Sequence, residues 1–275
     1  QFTDNPRSMG HHPGGSMQYG PERWPMEKMV RERFCGVLGT PDAAASLPGQ
    51  MARLQFPAGA LAYQPEVKSF QEGGRICIAL GRPRFHGDAL QQINTAQGPA
   101  AAWAQAFARF GDEAVQQAAG RFCVVTLADD GREAVLATDR FGTWPICYAE
   151  HDGRLHFSNR ADTVPGIARK IAPQAVFEYL FFHMIPAPTT VFDGVARLPH
   201  GHLLKWQGGR AECRRWWNPQ FDEHGAPSFD EAKARFLQII EDGVRREADG
   251  TSVGCFLSGG TDSSTVTGML CKVLG

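Results

Sequence analysis

Two units of different fold class are predicted: an α+β layered sandwich over residues 30–206 and, over residues 228–275, the opening of an α/β unit built on a parallel sheet. Three observations predict them. Short apolar runs separated by Asp-Gly turns fill the first stretch, residues 207–227 are polar and turn-rich, and beyond them an amphipathic helix leads into an apolar run, a glycine turn and another helix. A chain of 275 residues with 43% apolar side chains is large enough for two cores.

Taken in order, residues 1–29 carry glycine, proline and the pair His11-His12 without a periodic apolar pattern, and read as a leader, tag or disordered segment. A signal peptide would need an apolar core of about 7 to 15 residues, which is missing there. Residues 34–38, 75–80, 122–127, 134–138, 145–148 and 155–158 each read as a strand. Asp129-Asp130-Gly131 and His151-Asp152-Gly153 are hairpin turns between consecutive strands, so meander pairing is expected. Helices are expected over residues 100–109, where Trp103, Ala106, Phe107 and Phe110 recur at three- and four-residue steps, and over residues 112–119. Residues 173–182 begin with proline and bring Val176, Tyr179 and Leu180 onto one helical face.

Residues 207–227 read as a linker, despite Trp216-Trp217. Ser228 with Glu231 forms a capping-box signal, and Ala232, Phe236, Ile239, Ile240 and Val244 share one face of the helix that follows. Residues 252–257 read as a strand buried on both faces of a parallel sheet. The chain stops shortly afterwards at Gly275, without the strands a nucleotide domain needs next, so a truncated unit is expected.

Composition excludes several classes. With 28 basic against 29 acidic side chains and a net charge of −1, nothing suggests phosphate-backbone binding, so nucleic acid is not an expected partner. The longest apolar stretch, residues 175–192, is broken by Glu178, His183, Pro186 and Pro188, short of the roughly 18 apolar residues of a membrane span. Seven cysteines are scattered without a CxxC pair, which fits buried thiols of a cytoplasmic protein better than zinc or disulfides. His200 and His202 have no third ligand candidate nearby.

The turn Ser258-Gly259-Gly260-Thr261-Asp262-Ser263-Ser264 carries chemistry. Glycines allow close backbone approach, hydroxyls add donors, and a helix starting there presents unpaired N–H groups, so an anion is expected. Asp262 would repel phosphate unless Mg²⁺ lay between them, which assigns it to the metal. The plain alternative is a strand-to-helix turn with Asp262 as cap. The GxxxxGK[ST] loop is absent.

SGGTDSS resembles the pyrophosphate loop of the ATP pyrophosphatase group. Upstream, residues 137–148 (ATDRFGTWPICY), Gly120-Arg121-Phe122, residues 185–195 (IPAPTTVFDGV) and Leu198-Pro199-His200-Gly201-His202 resemble asparagine synthetases in order and spacing. The resemblance implies an N-terminal-nucleophile glutaminase-like α+β sandwich followed by a PP-loop synthetase domain. It also implies use of ATP and Mg²⁺ to adenylate a carboxylate, with Leu257, Ser258, Gly259, Gly260, Asp262, Ser263 and Ser264 holding the pyrophosphate and Asp262 the metal. Ammonia, glutamine or an amine within the substrate would then displace AMP. It admits a homodimer. Aspartate is the leading substrate; β-lactam synthetases and lasso-peptide cyclases are offshoots in which the amine is internal, and a non-catalytic binding module is the reading from another class.

Glutaminases of this family use an amino-terminal cysteine whose α-amine is the base. Cys35-Gly36-Val37-Leu38-Gly39 resembles that start, but Met29 to Phe34 precede it. Leu80 and Arg82 stand where the glutamine-binding elements are expected, and the RGPD and RLSI strings are absent. The glutaminase half is therefore expected to be degenerate, with Cys35 a buried strand thiol.

Overall fold

The computed structural model describes residues 32–222, 225, 227–248 and 253–275; the expected leader and Ser252, at the start of the second unit's expected strand, lie outside them. The chain divides into two compact units, one ending at Asn218 and the other starting at Pro219.

Among the described residues the first unit holds twelve strands: β1 (Phe34–Leu38), β2 (Ala52–Phe56), β3 (Gly59–Tyr63), β4 (Lys68–Glu72), β5 (Arg75–Phe85), β6 (Ala118–Ala128), β7 (Glu133–Thr138), β8 (Cys147–His151), β9 (Arg154–Ser158), β10 (Ala196–Arg197), β11 (His202–Gln207) and β12 (Arg210–Arg215). They form two six-stranded sheets, ordered β10-β8-β9-β1-β3-β2 and β12-β11-β7-β6-β5-β4. Pairing is antiparallel throughout. Alternation along the strands builds the layers. On β6, Cys123, Val125 and Leu127 face the first sheet, whereas Phe122 and Val124 face α1 (Asp88–Gln97) and α2 (Pro99–Phe110). Trp103, fully buried, anchors that second layer against Phe85 and Phe122. A 3-10 helix over Pro41–Ser46 covers the outer face of the first sheet.

The α+β sandwich expected from the sequence is therefore present, with local corrections. Residues 112–119 are not an α-helix: a 3-10 helix spans Gly111–Gln117 and β6 starts at Ala118, because Gly111, at φ +56°, caps α2 and redirects the chain. The strand expected at residues 145–148 begins at Cys147, after Pro145 and Ile146. The expected linker is in part sheet: β12 pairs with β11 from Gln207 and Arg210 to His202 and Arg215. Its alternation was hidden by exposure, since an edge strand buries little. The helix over Pro173–Phe182, α3, forms as expected, but Val176, Tyr179 and Leu180 are exposed and only Ala175 is buried.

In the second unit, α4 (Phe229–Glu247) begins at Ser228 with both halves of the capping box in place, and α5 spans Thr261–Leu274. Lys272 and Arg245 meet Glu241, tying α5 to α4. Of the strand expected over residues 252–257, residues 253–257 are not strand and have no strand partner among the described residues, and Phe256 is 89% exposed. A strand needs a ladder, and no described residue of this unit supplies one. Among the described residues no helix is long and apolar enough to cross a membrane.

Candidate functional site

Cys35 lies on β1 between β3 and β9, paired with Ala62 on one side and Ser158 on the other. Phe34 and Leu38 point into the space between the sheets; Cys35 and Val37 point outward, under the 3-10 helix with Ala43, Leu47, Ala60 and Ala62. Gly36 stands between them because a Cβ there would overlap the Phe157 ring. The thiol, 1% exposed, is pushed up to about 12 by burial, with the nearby Arg53 guanidinium opposing. At pH 7 on the order of one such thiol in 10⁵ would be ionised, and only the thiolate is a nucleophile.

The chain before Cys35 is clamped. The Phe34 amide donates to Asn159 Oδ1 at 3.1 Å, and Asn159 Nδ2 donates to the Glu32 carbonyl at 2.7 Å. The Phe34 carbonyl accepts from Ser158 Oγ at 2.9 Å, while Arg33 exchanges bonds with Gln64 at both its amide and its carbonyl. Phe34 itself is fully buried, its ring 6.3 Å from that of Phe157. Cys35 nitrogen is thus an internal peptide nitrogen within a ladder, not an amine. Leu80, expected where a glutamine amide would bind, is buried in the inter-sheet core, and Gly81 after it, at φ +93°, lies so close to the Arg121 carbonyl that any side chain would collide with it.

The DRFG turn is organised by Asp139, which the sequence reading passed over. Fully buried, it accepts from the amides of Phe141 (2.8 Å), Phe122 (3.0 Å) and Thr143 (3.2 Å), and its carbonyl accepts from Gly201. The signal was available: Asp two residues before an amide it can cap, then glycine, is an Asx-turn pattern. Arg140 lies over the Trp217 ring at 5.8 Å and makes no ion pair among the described residues. His202 Nδ1 meets the His200 carbonyl, and no group of His, Cys, Asp or Glu among the described residues is arranged to hold a metal.

In the second unit the Ser258–Ser264 turn is open to solvent. Gly260 is the N-cap of α5 and offers no side-chain acceptor, so the first-turn amides are left for another partner. Hydroxyls brace the loop: Ser258 Oγ and Ser263 Oγ lie 2.7 Å apart, Ser258 N donates to Ser263 Oγ, Gly260 N to Ser258 Oγ, and Ser264 Oγ to the Ser258 carbonyl. A Cβ at Gly259 would meet nothing within 4 Å, so the backbone there is free to approach a ligand. Asp262 sits in the first turn, and Leu257, ahead of the loop, is exposed. The predicted loop residues are brought together; Cys35 belongs to the other unit.

Residues 94–217 match the family model of the glutamine amidotransferase domain, and residues 235–274 that of asparagine synthase. Asparagine synthetase [glutamine-hydrolyzing] 3 of Bacillus subtilis is 27% identical over 145 residues, covering 50% of this chain and 24% of that protein. A putative asparagine synthetase [glutamine-hydrolyzing] of Mycobacterium tuberculosis is 27% identical over 179 residues, covering 59% of this chain and 27% of that protein. A glutamine aminotransferase class-II domain protein from Silicibacter pomeroyi, a solved structure, aligns with TM-score 0.40 and 11% identity over 68% of this chain and 100% of that one. The chain spans about a quarter of the length of the curated relatives it matches.

Proposed function

This chain belongs to the asparagine synthetase superfamily, and on that premise we propose that it serves ATP-dependent amide formation without hydrolysing glutamine. ATP activates a carboxylate, aspartate in the leading case, as its adenylate with loss of pyrophosphate, and an amine then displaces AMP. The observation that carries this reading is the open, hydroxyl-braced turn at the start of α5, whose N-cap leaves amides unclaimed. Ser258, Gly259, Gly260, Ser263 and Ser264 would hold the pyrophosphate part of the nucleotide, where backbone N–H groups and the helix dipole favour negative charge. Asp262 would hold the accompanying Mg²⁺. A single carboxylate suits an ion that takes its other ligands from phosphate oxygens and water.

Three features support an inactive glutaminase half: the sealed Cys35 thiol, the clamped residues before it and the apolar Leu80. They favour, as a second reading, an amine carried by the carboxylate substrate itself, since ring closure needs no ammonia source. Pyrophosphate release by the full-length protein is the test, with aspartate plus ammonia, aspartate plus glutamine, or a substrate bearing both groups. Asp262→Ala is expected to abolish Mg-dependent ATP binding, and Cys35→Ala to leave turnover unchanged. ATP binding untouched by the first substitution sinks the loop assignment, and glutamine-driven turnover lost with the second sinks the inactive glutaminase.

A further inference from the structure

The helix α3 turns to solvent a surface of the kind other helices bury. Among its described residues only Ala175 is buried. With 3.6 residues per turn, Phe177, Leu180 and Phe181 fall on the side opposite Ala175, and they are 61%, 70% and 67% exposed, where a surface helix carries polar groups. Phe177 and Phe181, one turn apart, stack with ring centroids at 6.2 Å and planes 17° from parallel, and Phe182 meets Phe181 edge-on at 4.8 Å. The aromatic ridge is therefore ordered before anything covers it. From Pro173 to Met184 the sequence holds one carboxylate, Glu178, whose Oε1 accepts from Gln174, and no Lys or Arg. Helices that lie on membranes present a basic face to the headgroups, so this composition favours a protein partner.

The area is what a stable dimer needs. The rings of Phe177, Tyr179, Phe181 and Phe182, each more than half exposed, leave on the order of 350–600 Å² in water at about 150–250 Å² per ring. Leu180 and Met184, likewise exposed, bring the total towards the roughly 800 Å² that each partner of a standard interface contributes. We propose that the outward face of α3 joins two copies of this chain about a two-fold axis, the Phe177–Phe181 ridge of each copy seated beside the same ridge of the other. Ridges of residues four apart interdigitate when helices cross at about 50°. A two-fold contact sets a patch against itself, and this one can accept that, because its single carboxylate stands about 100° round the helix from Phe177 and leaves the centre uncharged. The contact belongs to the sandwich unit and does not depend on the ATP-dependent reading.

Sedimentation velocity of the full chain at micromolar concentration is expected to show a dimer. Leu180→Glu should weaken association about a hundredfold or more, since it would place two carboxylates among apolar rings, while the thermal melt stays unchanged because Leu180 is exposed in the single copy. Phe236→Glu, at an exposed apolar position of α4, should leave the dimer intact. Should Leu180→Glu fail to fold, Phe181→Ser serves in its place, with association weakened about tenfold. A monomer at every concentration, a dimer indifferent to the α3 substitution, or a dimer weakened as much by Phe236→Glu overturns the proposal. A monomer whose melting temperature falls in Leu180→Glu would have the face covered from within its own polypeptide, and one that floats with phosphatidylserine vesicles would have it on a membrane; either result also overturns it.

Discussion

Cys35 and the Ser258–Ser264 turn are opposites. The thiol is enclosed on a central strand, with the peptide groups before it bonded to Asn159, Ser158 and Gln64; the turn lies in solvent with backbone donors unclaimed. Nucleophilic chemistry at a thiol demands ionisation and a base, both of which burial inside a ladder removes. Anion binding at a helix start demands only backbone N–H groups and room, which glycines supply. On the proposed reading, a side chain of the right type stands at Cys35 without its chemistry, whereas the loop at Ser258 works through its backbone and depends only on its shape.

That contrast can be broken in three ways. The largest effect concerns thiol reactivity: at pH 8 in the native chain, Cys35 should be alkylated about a thousandfold more slowly than an unburied thiol, read by mass spectrometry of tryptic peptides. Alkylation at an ordinary rate would show that the first sheet opens. Next, Phe34→Ala should lower stability by about 3–5 kcal/mol, measured by urea denaturation. A loss well below that range would mean residues before Cys35 are dispensable, as trimming to a free amine requires.

The smallest effect tests whether closure extends to His156, on the same outer face of the first sheet. Its Nδ1 lies 2.9 Å from the Pro165 carbonyl and its Nε2 is buried without a partner among the described residues. Burial, aided by nearby His151 and Arg154, holds its pKa below the usual imidazole value, with the Pro165 bond opposing. The folded state then keeps His156 neutral while the unfolded chain takes up a proton near pH 6.5, so stability falls as pH drops through that value. Urea midpoints should be lower at pH 5 than at pH 7, with a smaller difference in His156→Gln. An undiminished difference would place the titrating group elsewhere.

Much of the sandwich was legible because its strands are short apolar runs with Asp-Gly turns between them, as at β6, β7, β8 and β9. Strands β2, β4 and β12 were not, because edge positions expose both faces and leave no alternation to read. The capping box at Ser228 was legible as a local pattern and formed as read. The clamp on Phe34 was not: its partners Ser158 and Asn159 are 124 and 125 residues away, and no local spacing marks them.

What the sequence by itself determined is local: the helix start at Ser228, the glycine turn at Ser258, and the strand over residues 34–38 that carries Cys35. Tertiary structure alone decided the rest: that Cys35 is sealed, that Asp139 holds a turn together, and that Asn159 and Ser158 clamp the chain before Cys35. The physical reason is distance along the chain. Propensity and periodicity act over a few residues, whereas burial, charge compensation and hydrogen-bond satisfaction depend on groups that only folding brings together.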